Sequence, residues 1–169
     1  MHTLRHTAPR DWGWLHRAAA PEAAQVFDAG PATPGQARAF TGRVLAEWGL
    51  QAAHGDACLV VSELASNAVR ESQAAGEPTV LIRFRHTRGT VVVEAGDHGR
   101  GRPPRHFSLP ADPGRCHGRG LPIVQQYSTA RGWYRRGGWK IVWASVPVPA
   151  AAAPSAAAPA ACQTASVAA

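Results

Sequence analysis

Apolar residues recur at helical spacing in two stretches of the chain. Between Gln36 and Trp48, the residues Ala37, Phe40, Val44, Leu45 and Trp48 fall on one face and Gly49 follows as a stop, which predicts a first helix. From about Ala53 to Ala74, the residues Ala57, Val60, Val61, Leu64 and Ala68 form the apolar face of a second, longer helix. This second helix carries an anomaly. Its segment SELASNAVRES, residues 62–72, sets Glu63, Asn67 and Arg70 four and then three residues apart. At about 100° per residue, Asn67 and Arg70 fall within about 40° of Glu63. A carboxylate, an amide and a guanidinium therefore share one stripe beside the core face.

Two β-type runs follow. TVLIRFRH (79–86) alternates apolar and basic side chains, TVVVEAGD (90–97) is more continuously apolar, and Arg88-Gly89 between them predicts a hairpin. A loop rich in Gly, Arg and Pro occupies 99–120, and LPIVQQYS reads as a short helix entered from a glycine pair. Two further β runs, ARGWYRR and WKIVWASVPV, join across Gly137-Gly138 as a second hairpin. The order helix, helix, strand, strand, helix, strand, strand predicts an α+β fold: a two-layer sandwich with a mostly antiparallel sheet and helices on one face. Residues 1–24 are expected to form an N-terminal extension, 25–148 the domain, and 149–169 a disordered tail of Ala, Pro and Ser with too little apolar bulk to fold.

Composition narrows the function classes. The 169 residues carry a net charge of +7, with 18 basic against 11 acidic side chains, and Lys140 is the one lysine among the basic residues. The balance favours an anionic partner. Three widely separated cysteines fit neither a disulfide framework nor a zinc site. No secretory leader or apolar run of membrane-spanning length is read in the chain, so a soluble, cytoplasmic protein without membrane contact is expected.

Two more segments bear on the stripe of the second helix. GDHGRGRP (96–103) puts Asp97 at the end of an apolar strand, followed by Gly99 and Gly101. A carboxylate there can accept a hydrogen bond from an exocyclic amine, and the glycines let backbone and ligand approach closely. HGRGLPIV (117–124) places Gly118 and Gly120 before a helix, where successive N–H groups can hold an anion. Neither the G-x-x-x-x-G-K-[ST] loop nor a dinucleotide fingerprint is present, so any nucleotide must be held another way.

The succession E-L-x-x-N-A-V-R, D-x-G-x-G, G-R-G-L-x-I-V and a closing K-x-V-W strand resembles the GHKL ATPase superfamily of gyrases, chaperones, histidine kinases and mismatch-repair proteins. Within it, the likeness is greatest to bacterial anti-sigma factor serine/threonine kinases and their single-domain regulatory relatives, and covers about residues 26–147. The resemblance implies the ATP-binding fold of that superfamily, with ATP and Mg²⁺ as cofactors. It implies Glu63 as the general base, Asn67 as the Mg²⁺ ligand, Asp97 as the adenine-binding aspartate, and Gly99 and Gly101 beneath the base. Gly118, Arg119 and Gly120 match the phosphate-contacting end of the ATP lid, and Arg70 and Leu121 complete the nucleotide-contacting set. The implied partners are an RNA polymerase sigma factor and an anti-sigma antagonist protein that is the phosphate acceptor, with homodimers common in the family.

Two departures stand out. Glu71 occupies a position where many relatives carry His, removing a cation, and Ile141 one where relatives often carry a threonine that supports the aspartate, which predicts weaker nucleotide binding. The alternative is a non-catalytic module that uses ATP to order a protein-binding surface. A detached histidine-kinase domain fits less well, since no helix pair with a phosphoacceptor His is evident. Direct nucleic-acid binding is not expected, because Trp48, Trp139 and Trp143 read as packing residues.

Overall fold

The computed structural model describes residues 21–87, 89–101 and 120–149. Five strands and three helices follow in the order β1 (Glu22–Asp28), α1 (Thr33–Glu47), α2 (His54–Ala74), β2 (Thr79–Thr87), β3 (Thr90–Asp97), α3 (Gly120–Gln126), β4 (Ala130–Arg136) and β5 (Trp139–Pro147), with a 3₁₀ turn at Gln51–Ala53. The strands form one sheet in the order β1-β2-β3-β5-β4, and every neighbouring pair is antiparallel.

The period-two alternation of the strands divides the sheet into two chemically different faces. Val80, Ile82, Phe84, Val91, Val93, Ala95, Ala144 and Val146 share one buried cluster with Leu45 of α1, Val60, Val61 and Leu64 of α2, and Val124 of α3. The helices therefore cover a single face. Phe40 of α1 locks this layer, with ring centroids 6.1 Å from Phe27 of β1 and 5.4 Å from Phe84 of β2. The opposite face carries a smaller cluster of Leu81, Trp139 and Ile141. Beside it lies a buried polar group in which Glu94 accepts from Arg83, from Arg85 Nη2 at 2.7 Å and from the Tyr134 hydroxyl at 3.2 Å. Glu94 is 1% exposed, and three donors on one carboxylate are what its burial requires.

Several local features have direct physical causes. Gly137 and Gly138, with φ of 57° and 82°, form the two-residue turn between β4 and β5, where both positions lie in the left-handed region open to glycine. Helix α1 begins at Thr33, three residues before the predicted start, because Pro34 sits in the first turn where no backbone donor is needed. Strand β1 is an additional element. It begins at Glu22, inside the stretch assigned to the extension, and pairs from Glu22↔Arg85 to Asp28↔Thr79 along β2. No described helix is long and apolar enough to cross a membrane.

Candidate functional site

Asp97 ends β3 on the helix-covered face, opposite Lys140 of β5. Both are 2% exposed. Asp97 Oδ1 accepts the Gly99 N–H at 2.7 Å and lies 3.2 Å from Lys140 Nζ. Among the described residues no donor is assigned to Oδ2, so one carboxylate oxygen is held and the other is left to accept. Burial pushes the Asp97 carboxyl above its ordinary value; the Gly99 N–H and the Lys140 ammonium act against that, and the negative charge of Glu71 adds to it.

Lys140 Nζ donates to Glu71 Oε2 at 2.7 Å, which ties the C-terminal part of α2 to β5 and β3. The backbone at Gly99 crosses directly over this group. A Cβ at that position would come within 2.7 Å of Glu71 Oε2, 2.9 Å of Asp97 Oδ1 and 3.0 Å of Lys140 Nζ. Any side chain there would have to push these three side-chain ends aside, so the motif glycine lets the backbone pass close to the group. Gly101 meets no such neighbour. The segment from Gly99 to Gly101 is fixed from the other side by Arg135 of β4, whose Nη2 donates to the carbonyls of residues 99, 100 and 101 at 2.9, 2.7 and 3.3 Å. The His98 N–H reaches the buried Ser72 hydroxyl of α2 at 3.4 Å.

The contact of Glu71 with Lys140 orients the polar stripe of α2. Asn67 lies one turn and Glu63 two turns before Glu71 along the same edge of the helix, about 12 Å from end to end at 1.5 Å per residue. Glu63 and Asn67 are both half-buried. Glu63 has no hydrogen-bond or ion-pair partner among the described residues. The Asn67 amide oxygen accepts from Arg70 Nη2. Carboxylate and amide oxygens on one edge are hard donors of the kind Mg²⁺ takes, so the donor set fits that ion, with Arg70 as the competitor for Asn67. Among the described residues no cluster of three His, Cys, Asp or Glu side chains offers an alternative metal site.

The candidate residues thus divide. Glu63, Asn67 and Arg70 of α2 and Asp97 and Gly99 at the end of β3 belong to one connected region, with Gly101 just beyond. Gly118 and Arg119 lie outside the described residues. Gly120 opens α3, and Leu121 follows within it.

Glu71, Lys140 and Arg135 join this candidate site, although motif reading assigned none of them a role in it. Glu71 is more than the absence of a histidine, since it supplies the counter-charge to Lys140. Ile141 is not the residue that faces Asp97: the register pairs Asp97 with Lys140 and Gly96 with Ile141, and Ile141 packs with Leu81 and Trp139 on the far face. Substituting Ile141→Thr is therefore expected to leave nucleotide affinity unchanged. It should lower stability by about 1–3 kcal/mol through lost apolar burial and a buried hydroxyl. A thermal melt and a calorimetric titration of the variant check both halves, and a gain in affinity would contradict the register. The signal available in sequence was the lone lysine, one residue from the assigned position.

Comparison with known proteins bears on the family and the fold. The family profile described as the histidine kinase-like ATPase domain matches residues 27–146. No curated protein matches the chain. Among solved structures, the crystal structure of the RsbU and RsbW domains of Rv1364c from Mycobacterium tuberculosis is similar, with a TM-score of 0.53 and 19% sequence identity. The match covers 78% of this chain and 34% of that one, so this chain corresponds to about a third of that protein, and the likeness is one of fold.

Proposed function

From the premise that this chain belongs to the histidine kinase-like ATPase family, we propose that it is an ATP-binding regulatory protein that transfers the γ-phosphoryl group of ATP to a serine or threonine of an anti-sigma antagonist protein. In this reading it also binds an RNA polymerase sigma factor, as the anti-sigma factors it resembles do. The observation that carries the proposal is the edge of α2, which leads from the carboxylate of Asp97 past Asn67 to the carboxylate of Glu63, which has no partner among the described residues. A ligand with a base at one end and a reactive phosphate at the other suits such an edge.

Asp97 Oδ2 would accept the exocyclic amine of adenine, with Gly99 giving the base room against the backbone. Asn67 would hold Mg²⁺ through its amide oxygen once Arg70 turns away, and Arg70 would then be free to meet phosphate oxygens. Gly118, Arg119, Gly120 and Leu121 are assigned to the phosphate end on the motif they form. Bound ATP supplies the phosphoryl group, and Mg²⁺ offsets the charge of its oxygens. Glu63 would take the proton of the attacking hydroxyl. Phosphoryl transfer depends mainly on positioning and charge stabilisation, so this set of groups is sufficient.

A second reading is favoured by the Arg70–Asn67 contact, which occupies the amide oxygen a metal would need. In that reading ATP binding orders a protein-binding surface and no phosphate is transferred. One experiment separates the two. The full chain is titrated with Mg·ATP by calorimetry, then incubated with γ-labelled ATP and the cognate antagonist. Saturable binding with label on the antagonist supports the kinase. Binding without label supports the module, and absence of binding removes both.

A further inference from the structure

Of the 18 basic side chains, 17 are arginine, and the single lysine is buried between two carboxylates. Its place has a chemical reason. An ammonium is a compact point charge that can bridge two nearby oxygens, whereas a guanidinium is a planar fork that needs room in its own plane. A Cβ built on Gly99 would lie 3.0 Å from Nζ, and Lys140 is almost wholly enclosed. Arginine, abundant elsewhere in the chain, would bring a larger planar head group to this enclosed position.

We propose that Lys140 is the positioning residue of the base site, holding Asp97 Oδ1 so that Oδ2 is presented to the ligand, with Glu71 as the counter-charge that makes a buried lysine tolerable. A charged pair thus does here what a hydroxyl does in relatives. The inference rests on the reading of Asp97 as the acceptor for a nucleobase. The group spans α2, β3 and β5, so the orientation of the aspartate is tied to the seating of the helix that carries Glu63 and Asn67. Two carboxylates and one ammonium leave the trio with one net negative charge. Among the described residues, the other ionisable side chains beside this group are Arg135 of β4, engaged with the carbonyls of 99–101, and His98, whose ring lies 4.0 Å from that of Trp139.

Two substitutions move the site in opposite directions. Lys140→Met removes the cation that favours the ionised carboxylate, so ATP binding should weaken about 10- to 100-fold at neutral pH, and its acid limit should move to higher pH. Glu71→Gln removes a neighbouring negative charge, so the acid limit should move to lower pH. Lys140→Arg should not restore wild-type binding, because a planar fork cannot take the place of a point charge between Asp97 Oδ1 and Glu71 Oε2 without displacing them. A general loss of stability would move both limits the same way.

The test is calorimetric titration of Mg·ATP into the full-length wild type and the three variants from neutral to acid pH. Opposite shifts for Lys140→Met and Glu71→Gln are the expected result. Shifts in one direction, unchanged binding in Lys140→Met, or full rescue by Lys140→Arg would overturn the inference while leaving the nucleotide site standing. Failure of the wild type to bind ATP would instead remove the functional reading and this inference with it. Glu71→Gln alters a partly exposed side chain and keeps the test decisive if Lys140→Met does not fold.

Discussion

Glu63→Gln is expected to bind Mg·ATP as the wild type does and to transfer phosphate to its protein acceptor about 10²- to 10⁴-fold more slowly, the range over which a positioned general base acts. Glutamine keeps the length and shape of the side chain but cannot take a proton. Glu63 is half-buried on α2 and is not engaged with any described side chain, so nothing in the fold is broken by the change. Its distance along the helix from Glu71, about 12 Å, sets it well away from the carboxylate assigned to the base. Binding and transfer should therefore separate cleanly in a paired measurement, calorimetry for the first and γ-label incorporation for the second. Equal transfer by wild type and variant would mean that another group takes the proton, or that positioning alone suffices. A parallel loss of binding would place Glu63 among the groups that hold the nucleotide.

Legibility in the sequence followed the range of the forces involved. Helix α2 and strands β2, β3 and β5 bury strong, regular apolar patterns, so periodicity located them. Strand β1 reads EAAQVFD, which is poor in β-branched residues and buries only Phe27; it is a strand because β2 offers its edge and Phe40 receives Phe27. No local pattern could show that. The candidate site divides the same way. The stripe on α2 and the Asp97-Gly99 turn are local and were visible as motifs. The Glu71–Lys140 pair joins residues 69 apart, and which of Lys140 and Ile141 faces Asp97 depends on the register of β5 against β3. A one-residue difference in register exchanges the two faces of a strand, so motif alignment alone could assign the wrong neighbour. Arg135 was hidden for a related reason, since its acceptors are backbone carbonyls that have no sequence signature.

Asp97→Asn is expected to weaken ATP binding about 10- to 100-fold, the effect of losing a charge-assisted hydrogen bond, while the melting temperature at neutral pH stays level or rises. The two halves have one cause. Burial holds the Asp97 carboxyl above its ordinary value despite Gly99 and Lys140, so the folded protein retains this proton at pH values where the unfolded chain has released it. For an acid shifted upward, the stabilising contribution is complete below the unfolded value and is lost as pH rises through the folded value. At neutral pH the ionised carboxylate is therefore a burden on the fold, maintained for the ligand it accepts. Asparagine keeps an oxygen for the Gly99 N–H and removes the charge, and Lys140 retains Glu71 as its partner. The stability difference between variant and wild type should shrink as pH falls below the unfolded value, where both side chains are neutral in both states. Calorimetric titration and thermal melts across pH read the two effects on the same samples. Weaker binding together with a lower melting temperature would make Asp97 a structural residue whose loss disturbs the site indirectly. Weaker binding with a level or higher melting temperature identifies it as a functional carboxylate that the fold carries at a cost.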